Sequence, residues 1–108
     1  MQLADRQCQH KPAALDEDAI TLLLSEVDRD WQLAADKQSI QREFKFKNYY
    51  ETMAFVNVVA MIAHQQDHHP EMNVSYNRCR VDYSTHSVGG LSDYDFICAA
   101  KIDATLPL

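Results

Sequence analysis

Residues 48–70 read NYYETMAFVNVVAMIAHQQDHHP, and how far this stretch stays helical decides the organisation of the chain. From Asn48 to about Gln66 apolar residues recur at helical spacing. Tyr49, Met53, Val56, Ala60 and Ala63 form one stripe, and Phe55, Val59 and Ile62 widen it. The arc is broader than a single sheet face needs, so part of this helix is expected to pack on another subunit. Asn57, Met61 and His64 lie along a different line, which His68 would extend if the helix ran so far. Pro70 restricts His69 and ends the helix at or before it.

On both sides of this helix the period changes to two. Ile40, Phe44 and Phe46 share one parity and Gln41, Glu43, Lys45 and Lys47 the other, the pattern of a half-buried strand. Trp31 and Leu33 alternate with Gln32 and Ala34 in a short partner strand. The polar turn Asp36-Lys37-Gln38 joins the two into a hairpin. Arg42, on the apolar parity, reads as an edge or snorkelling residue. Downstream, Tyr76 to Thr85 alternates again. Cys79, Val81, Tyr83 and Thr85 share one face, Arg78, Arg80, Asp82 and Ser84 the other, and His86 continues the second set.

Helices close both ends. Asp16, Glu17 and Asp18 suit a helix N-terminus, and Ile20, Leu23, Leu24 and Val27 follow at helical spacing. After a tight turn at Gly89-Gly90, Ser92 reads as an N-cap with Asp95 as its capping-box partner. Phe96, Ala99, Ala100 and Ile102 continue this last helix, with Asp103 near its end. Residues 1–14 are polar and aperiodic and read as a tail. Cys8 and His10 there are two loose ligands and do not make a metal site.

The chain has 108 residues, 46% hydrophobic and 24% charged, which suits one globular domain with a real core. A net charge of -6 argues against unaided binding to a phosphate backbone. Cys8, Cys79 and Cys98 match no zinc or redox spacing, and reduced thiols in a cytoplasmic protein are the simplest reading. The N-terminus lacks a secretory h-region, and no apolar run is long enough to span a bilayer.

Chemistry concentrates in the histidines. Asp67-His68-His69-Pro70 is answered downstream by Ser84-Thr85-His86, and His64 lies one helical turn before His68. Imidazole both gives and takes a proton near pH 7, so the cluster reads as acid–base machinery or as a metal site. His64 and His68 have the i, i+4 spacing of two ligands on one helix face. The glutamate of a His-Glu-x-x-His site is absent, however, and the pair would straddle the end of the helix. His64 alone reads equally well as an ordinary surface histidine.

His64, His68, His69, Pro70, Tyr76, His86 and Asp95 together resemble the signature of the pterin-4a-carbinolamine dehydratase family, also known as the dimerisation cofactor of homeodomain factor family. Arg42-Glu43-Phe44-Lys45-Phe46, Tyr76-Asn77-Arg78 and Gly90-Leu91-Ser92 support the likeness, which runs from about Leu15 to Asp103. It departs at His64, where many members carry glutamate, at Asp28-Arg29-Asp30, which replaces a Pro-Gly before the tryptophan, and in the segment before Leu15.

The resemblance implies an α+β domain over residues 15–108: an antiparallel four-stranded sheet with helices packed on one face, in the order α-β-β-α-β-β-α. It also implies a third strand at Met72–Tyr76, which periodicity alone does not show. The implied activity removes water from a 4a-hydroxytetrahydropterin to give the quinonoid dihydropterin, after aromatic amino-acid hydroxylation. No cofactor or metal is implied, since the pterin is the substrate. His68 and His86 are the implied acid–base pair, His69 positions the pterin with a smaller part in proton transfer, and Asp67, Ser84, Thr85 and Ser87 contact the substrate. His64 is a supporting residue. Asp95 either orients an imidazole or serves only as a capping carboxylate. The implied partners are the reduced pterin, an aromatic amino-acid hydroxylase and a second or further copy of the chain as homodimer or homotetramer, with neither nucleic acid nor membrane. The alternative is a regulatory or binding protein of the same fold, a transcription-factor dimerisation partner or a participant in molybdopterin-related metabolism.

Overall fold

A computed structural model describes residues 2–108. Its elements are α1 (Glu17–Leu24), β1 (Gln32–Leu33), β2 (Ile40–Lys45), α2 (Tyr49–Gln66), β3 (Glu71–Val74), β4 (Arg78–Tyr83) and α3 (Asp93–Ala104). Short 3-10 turns occur at Leu3–Asp5 and His86–Val88. The strands form one sheet in the order β1-β2-β4-β3, every pair antiparallel. The α-β-β-α-β-β-α order implied by the resemblance is therefore the order observed.

Pleating sorts the strand residues as their parity predicts. Ile40, Phe44, Cys79, Val81 and Tyr83 are buried on the helical side, whereas Glu43, Arg78 and Arg80 are exposed on the other. Phe44 lies opposite Cys79, and Arg42 opposite Val81. Phe55 of α2 seats on this face, its ring 4.4 Å from that of Phe44 and 5.0 Å from that of Phe46. Burial also holds the Cys79 thiol up at about 11, so it stays protonated inside the core.

Helix α2 buries a different line from its longest apolar stripe. Thr52, Phe55, Val59, Ile62 and Gln66 are buried, while Tyr49 and Ala60 are exposed. Two polar side chains complete that line because each has partners. The Thr52 hydroxyl lies 2.9 Å from the Asn48 and Tyr76 carbonyls. Gln66 Oε1 accepts from the Cys8 backbone N–H at 2.9 Å, and its Nε2 donates to Gln7 Oε1 at 2.8 Å.

Those last contacts show that residues 2–14, aperiodic in sequence, lie against the domain. Leu3 is buried, Lys101 Nζ donates to the Ala4 carbonyl at 2.9 Å, and Arg6 pairs with Asp93 at 3.0 Å. Helix α3 is thereby enclosed by α1, α2 and this N-terminal segment. Phe96 through Ala100 are buried consecutively, with no amphipathic face to read.

Arg42 is a correction to its reading as an edge or snorkelling residue. Its side chain is largely buried, with the guanidinium 4.4 Å from the centre of the Phe44 ring. It donates to Asp103 Oδ1 at 2.7 Å and lies 3.6 Å from Asp28 and 3.8 Å from Asp30. Asp103 also accepts from Trp31 Nε1 at 2.8 Å and from the Asp28 backbone N–H at 3.0 Å. Burial holds the Asp103 carboxyl above its ordinary range despite these donors and the nearby Arg42 charge. Asp28-Arg29-Asp30 is thus more than a substituted turn, since two of its carboxylates face a buried guanidinium.

The third strand runs over Glu71–Val74, earlier than Met72–Tyr76. The Ser75 N–H donates to the Arg78 carbonyl at 2.9 Å, which closes the hairpin and leaves Tyr76 and Asn77 in the connection. No helix among the described residues is long and apolar enough to cross a membrane.

Candidate active site

Two chain reversals bring the histidines together. Helix α2 stops at Gln66 because Asp67 takes a left-handed conformation (φ 51°, ψ 44°), which aspartate tolerates better than most residues. The His68 N–H then returns to the Ala63 carbonyl at 3.0 Å. At the end of β4, Thr85 bridges Gly90, and His86 opens a 3-10 turn that Gly89 closes at φ 67°. The space around Gly89 is open, so backbone conformation rather than crowding requires glycine there.

Between these reversals lies a cleft of about 630 Å³ lined in part by Asp67, His68, His69, Ser84, His86 and Ser87. Thr85 also lines it, but its hydroxyl is taken up by Ser92 Oγ at 2.7 Å and Asp95 Oδ2 at 2.8 Å. His64 is exposed on the last turn of α2 and lines no part of the cleft. The i, i+4 pair of His64 and His68 is therefore split by the helix end. Among the described residues no group of three His, Cys, Asp or Glu side chains is arranged to hold a metal ion.

His68 is the most constrained imidazole. Its Nε2 lies 2.7 Å from Asp95 Oδ1, and Asp95 is fully buried. Asp95 Oδ2 accepts from the Thr85 hydroxyl and from the Ser92 backbone N–H at 3.0 Å. The carboxylate thus acts as an acceptor throughout, which puts a proton on His68 Nε2 and leaves Nδ1 as the second ring nitrogen. Tyr83 stacks on the ring at 5.4 Å and Tyr94 meets it edge-on at 5.6 Å. Burial pushes the Tyr83 phenol up, so it stays neutral; its hydroxyl donates to the His68 carbonyl at 3.4 Å.

Asp95 is therefore a capping carboxylate and also the hydrogen-bond partner of an imidazole. The complete capping box of α3 holds its carboxylate, and that carboxylate holds His68. His69 and His86 are exposed in comparison. The nearest partner of His69 Nδ1 is the Pro70 carbonyl at 3.5 Å, and the His86 ring has no hydrogen-bond partner among the described residues.

Four further residues line the cleft: Pro12, Glu71, Asp82 and Tyr94. Glu71 lies opposite Asp82 across the β3–β4 pair. Asp82 could have been found, since it shares the parity of Ser84 and His86. Pro12 carried no periodic signal, and Tyr94 lay hidden inside the capping box.

Residues 13–105 match the family model described as Pterin 4 alpha carbinolamine dehydratase. The chain belongs to this family. A relative from Nitrosomonas eutropha, named as a candidate pterin-4-alpha-carbinolamine dehydratase, is 54% identical over 96% of this chain and 93% of its own length. One from Legionella pneumophila (strain Philadelphia 1), named in the same way, is 50% identical over 92% and 88%. Among solved structures, a transcriptional coactivator/pterin dehydratase from Brucella melitensis superposes with a TM-score of 0.79 at 36% identity, covering 83% of this chain and 95% of that one. A pterin dehydratase-like protein identified as a RuBisCO assembly factor in the alpha-carboxysome superposes with a TM-score of 0.62, covering 72% and 90%; at 20% identity this likeness concerns the fold alone.

Within the pterin-4-alpha-carbinolamine dehydratase fold, the helix end at Asp67 and the 3-10 turn at His86 come from distant parts of the chain. The sheet joins them, because β3 begins directly after His69-Pro70 and β4 ends directly before Ser84. Register between those two strands therefore sets the separation of the histidines.

Proposed function

We propose that this chain dehydrates a 4a-hydroxytetrahydropterin to the quinonoid dihydropterin by histidine acid–base catalysis, with the pterin as substrate and no cofactor. The observation that carries the reading is the His68–Asp95 pair, a buried carboxylate holding one imidazole at the wall of a cleft that two more imidazoles line. The reaction breaks the C4a–O bond and forms a C4a–N5 double bond. One group must protonate the departing hydroxyl, which leaves as water, and another must take the N5 proton. His68, through Nδ1, and His86 fill these two roles. His69, Asp67, Ser84 and Ser87 position the pterin, and Thr85 acts behind them by holding Asp95. The reaction follows an aromatic amino-acid hydroxylase and runs in a reducing cytoplasm, which keeps all three cysteines as thiols.

The deciding assay is turnover of chemically generated 4a-hydroxytetrahydropterin by the purified chain after exhaustive chelation. Activity is expected to survive; loss of activity that zinc restores would overturn the metal-free mechanism. His64→Glu is expected to keep turnover within about threefold of wild type, because this side chain stands outside the cleft. A loss comparable to that of His68→Ala would show that a fourth imidazole takes part.

The same reading includes self-association. Tyr49, Tyr50 and Met61 of α2 are exposed, as are Val74 at the end of β3 and Tyr76 in the turn after it. Strand β3 is also an edge of the sheet. A two-fold copy of the chain would cover both features, and a homodimer or homotetramer is expected by light scattering at micromolar concentration. A clean monomer near 12.4 kDa would refute it.

A further inference from the structure

The N-terminal segment is tied along α3 and to the end of α2. Lys101 Nζ donates to the Ala4 carbonyl at 2.9 Å, and Arg6 reaches Asp93 at 3.0 Å. The Cys8 N–H is held by Gln66, the last residue of α2, at 2.9 Å. Cys98 lies on α3 between Asp93 and Lys101, and its thiol is hydrogen-bonded to that of Cys8. Two thiols from opposite ends of the chain therefore meet side by side.

The pair is asymmetric. Cys98 is fully buried and Cys8 is half-buried, so a small solute reaches Cys8 first. The hydrogen bond from Cys98 holds the Cys8 thiol below its ordinary range, against the opposing effect of burial. The same hydrogen bond, with burial, pushes the Cys98 thiol up. Cys8 thus combines access with thiolate character, and Cys98 is a second thiol within reach of its sulfur. Cys79, buried in the sheet core and held protonated, stands outside the pair.

We propose that Cys8 and Cys98 form a site of reversible oxidation by hydroperoxides, with Cys8 the attacking thiol and Cys98 the resolving one. The Cys8 thiolate attacks a hydroperoxide, ROOH, and the O–O bond breaks. The alkoxide takes the proton that Cys8 released and leaves as ROH, and Cys8 becomes a sulfenic acid. Cys98 then attacks the Cys8 sulfur. The S–S bond forms, and the displaced hydroxide leaves as water with the proton from Cys98. Two thiols are oxidised to one disulfide, and one hydroperoxide is reduced to ROH and water. A small thiol in excess reverses the change by exchange. In a reducing compartment the pair rests as thiols.

The cross-link closes most of the chain into one loop, the arrangement in which a disulfide most constrains the unfolded state. It also pins the segment that leads from Cys8 to Pro12 in the cleft wall.

Titration of the whole chain with hydrogen peroxide tests this, read by alkylation and by peptide mapping without reduction. An equimolar amount is expected to lower the free thiols from three to one, leaving Cys79, and to join the Cys8 and Cys98 peptides within one chain. The oxidised chain should unfold at a urea concentration higher by about 1 M or more. Dithiothreitol should restore both the thiols and the original midpoint. Cys98→Ala, which keeps a small apolar side chain in the core, should stop at a sulfenic acid on Cys8 that dimedone traps. Cys8→Ser should leave Cys79 and Cys98 reduced. Three free thiols after excess peroxide, a link formed only between chains, or Cys8 oxidised past the sulfenic acid with no link would each overturn the site. Should Cys98→Ala fail to fold, the peptide map of the unmodified sequence decides alone.

Discussion

Replacing His68 or His86 by alanine is expected to lower turnover of a 4a-hydroxytetrahydropterin by about two to four orders of magnitude, the range of a lost general acid or base. The two losses should look different in the folded protein. His86 is exposed on a 3-10 turn and its ring has no hydrogen-bond partner among the described residues, so its removal should leave stability unchanged. His68 is stacked on Tyr83, met by Tyr94 and bound to Asp95, so its removal should also lower the denaturation midpoint. His69→Ala provides the contrast. As a positioning group it should raise KM more than it lowers kcat, as expected where uniform binding is lost. Steady-state kinetics of the three variants beside urea titrations separates the cases. Turnover near wild type in either His68→Ala or His86→Ala would show that the acid–base pair has been assigned to the wrong residues.

What the sequence disclosed depended on whether a residue's environment is written into its neighbours. Strands β2 and β4 were legible because one face is wet and the other dry, which prints a period of two on Ile40–Lys45 and Arg78–Tyr83. The start of α3 was legible because Ser92 and Asp95 satisfy each other's backbone donors within one turn. Helix α2 was legible as a helix but not in its orientation. Apolar residues occupy most of its circumference, and the choice of buried line was made by Thr52 and Gln66, polar residues whose partners lie elsewhere in the chain. For the same reason residues 2–14 could not be placed. Leu3, Cys8 and Pro12 find α3, Gln66 and the cleft only in three dimensions. Arg42 showed its conflict with the apolar parity but not the three carboxylates that resolve it. In the site, the resemblance named seven of the residues that line the cleft, missed Pro12, Glu71, Asp82 and Tyr94, and also named His64, which stands outside it. The aromatic walls around His68 stayed hidden, because Tyr83 has the parity of a core residue and Tyr94 stands among the acidic residues of a helix start.

Asp95 is where fold and chemistry are hardest to separate, and replacing it should affect both. Its carboxylate accepts from the Ser92 N–H, the Thr85 hydroxyl and His68 Nε2 with no exposure to water. Asp95→Ala would leave the buried Thr85 hydroxyl and Ser92 N–H and the half-buried His68 short of a partner, and a loss of about 2 to 4 kcal/mol of stability is expected. Asp95→Asn is the more informative variant because it keeps the volume. An amide presents two donors on one side, so it cannot accept from Ser92, Thr85 and His68 together. If the amide keeps the Ser92 N–H and Thr85 contacts through its oxygen, its NH2 group faces His68 Nε2. The imidazole can then remain bonded only by moving its proton to Nδ1, the nitrogen assigned to the pterin. Turnover should accordingly fall by about two orders of magnitude or more while pterin binding is largely kept. Nitrogen-15 NMR of the histidine rings should report the proton on Nδ1 of His68 in the variant and on Nε2 in the wild type. A variant that unfolded no more readily, kept its turnover and left the ring tautomer unchanged would reduce Asp95 to a capping residue.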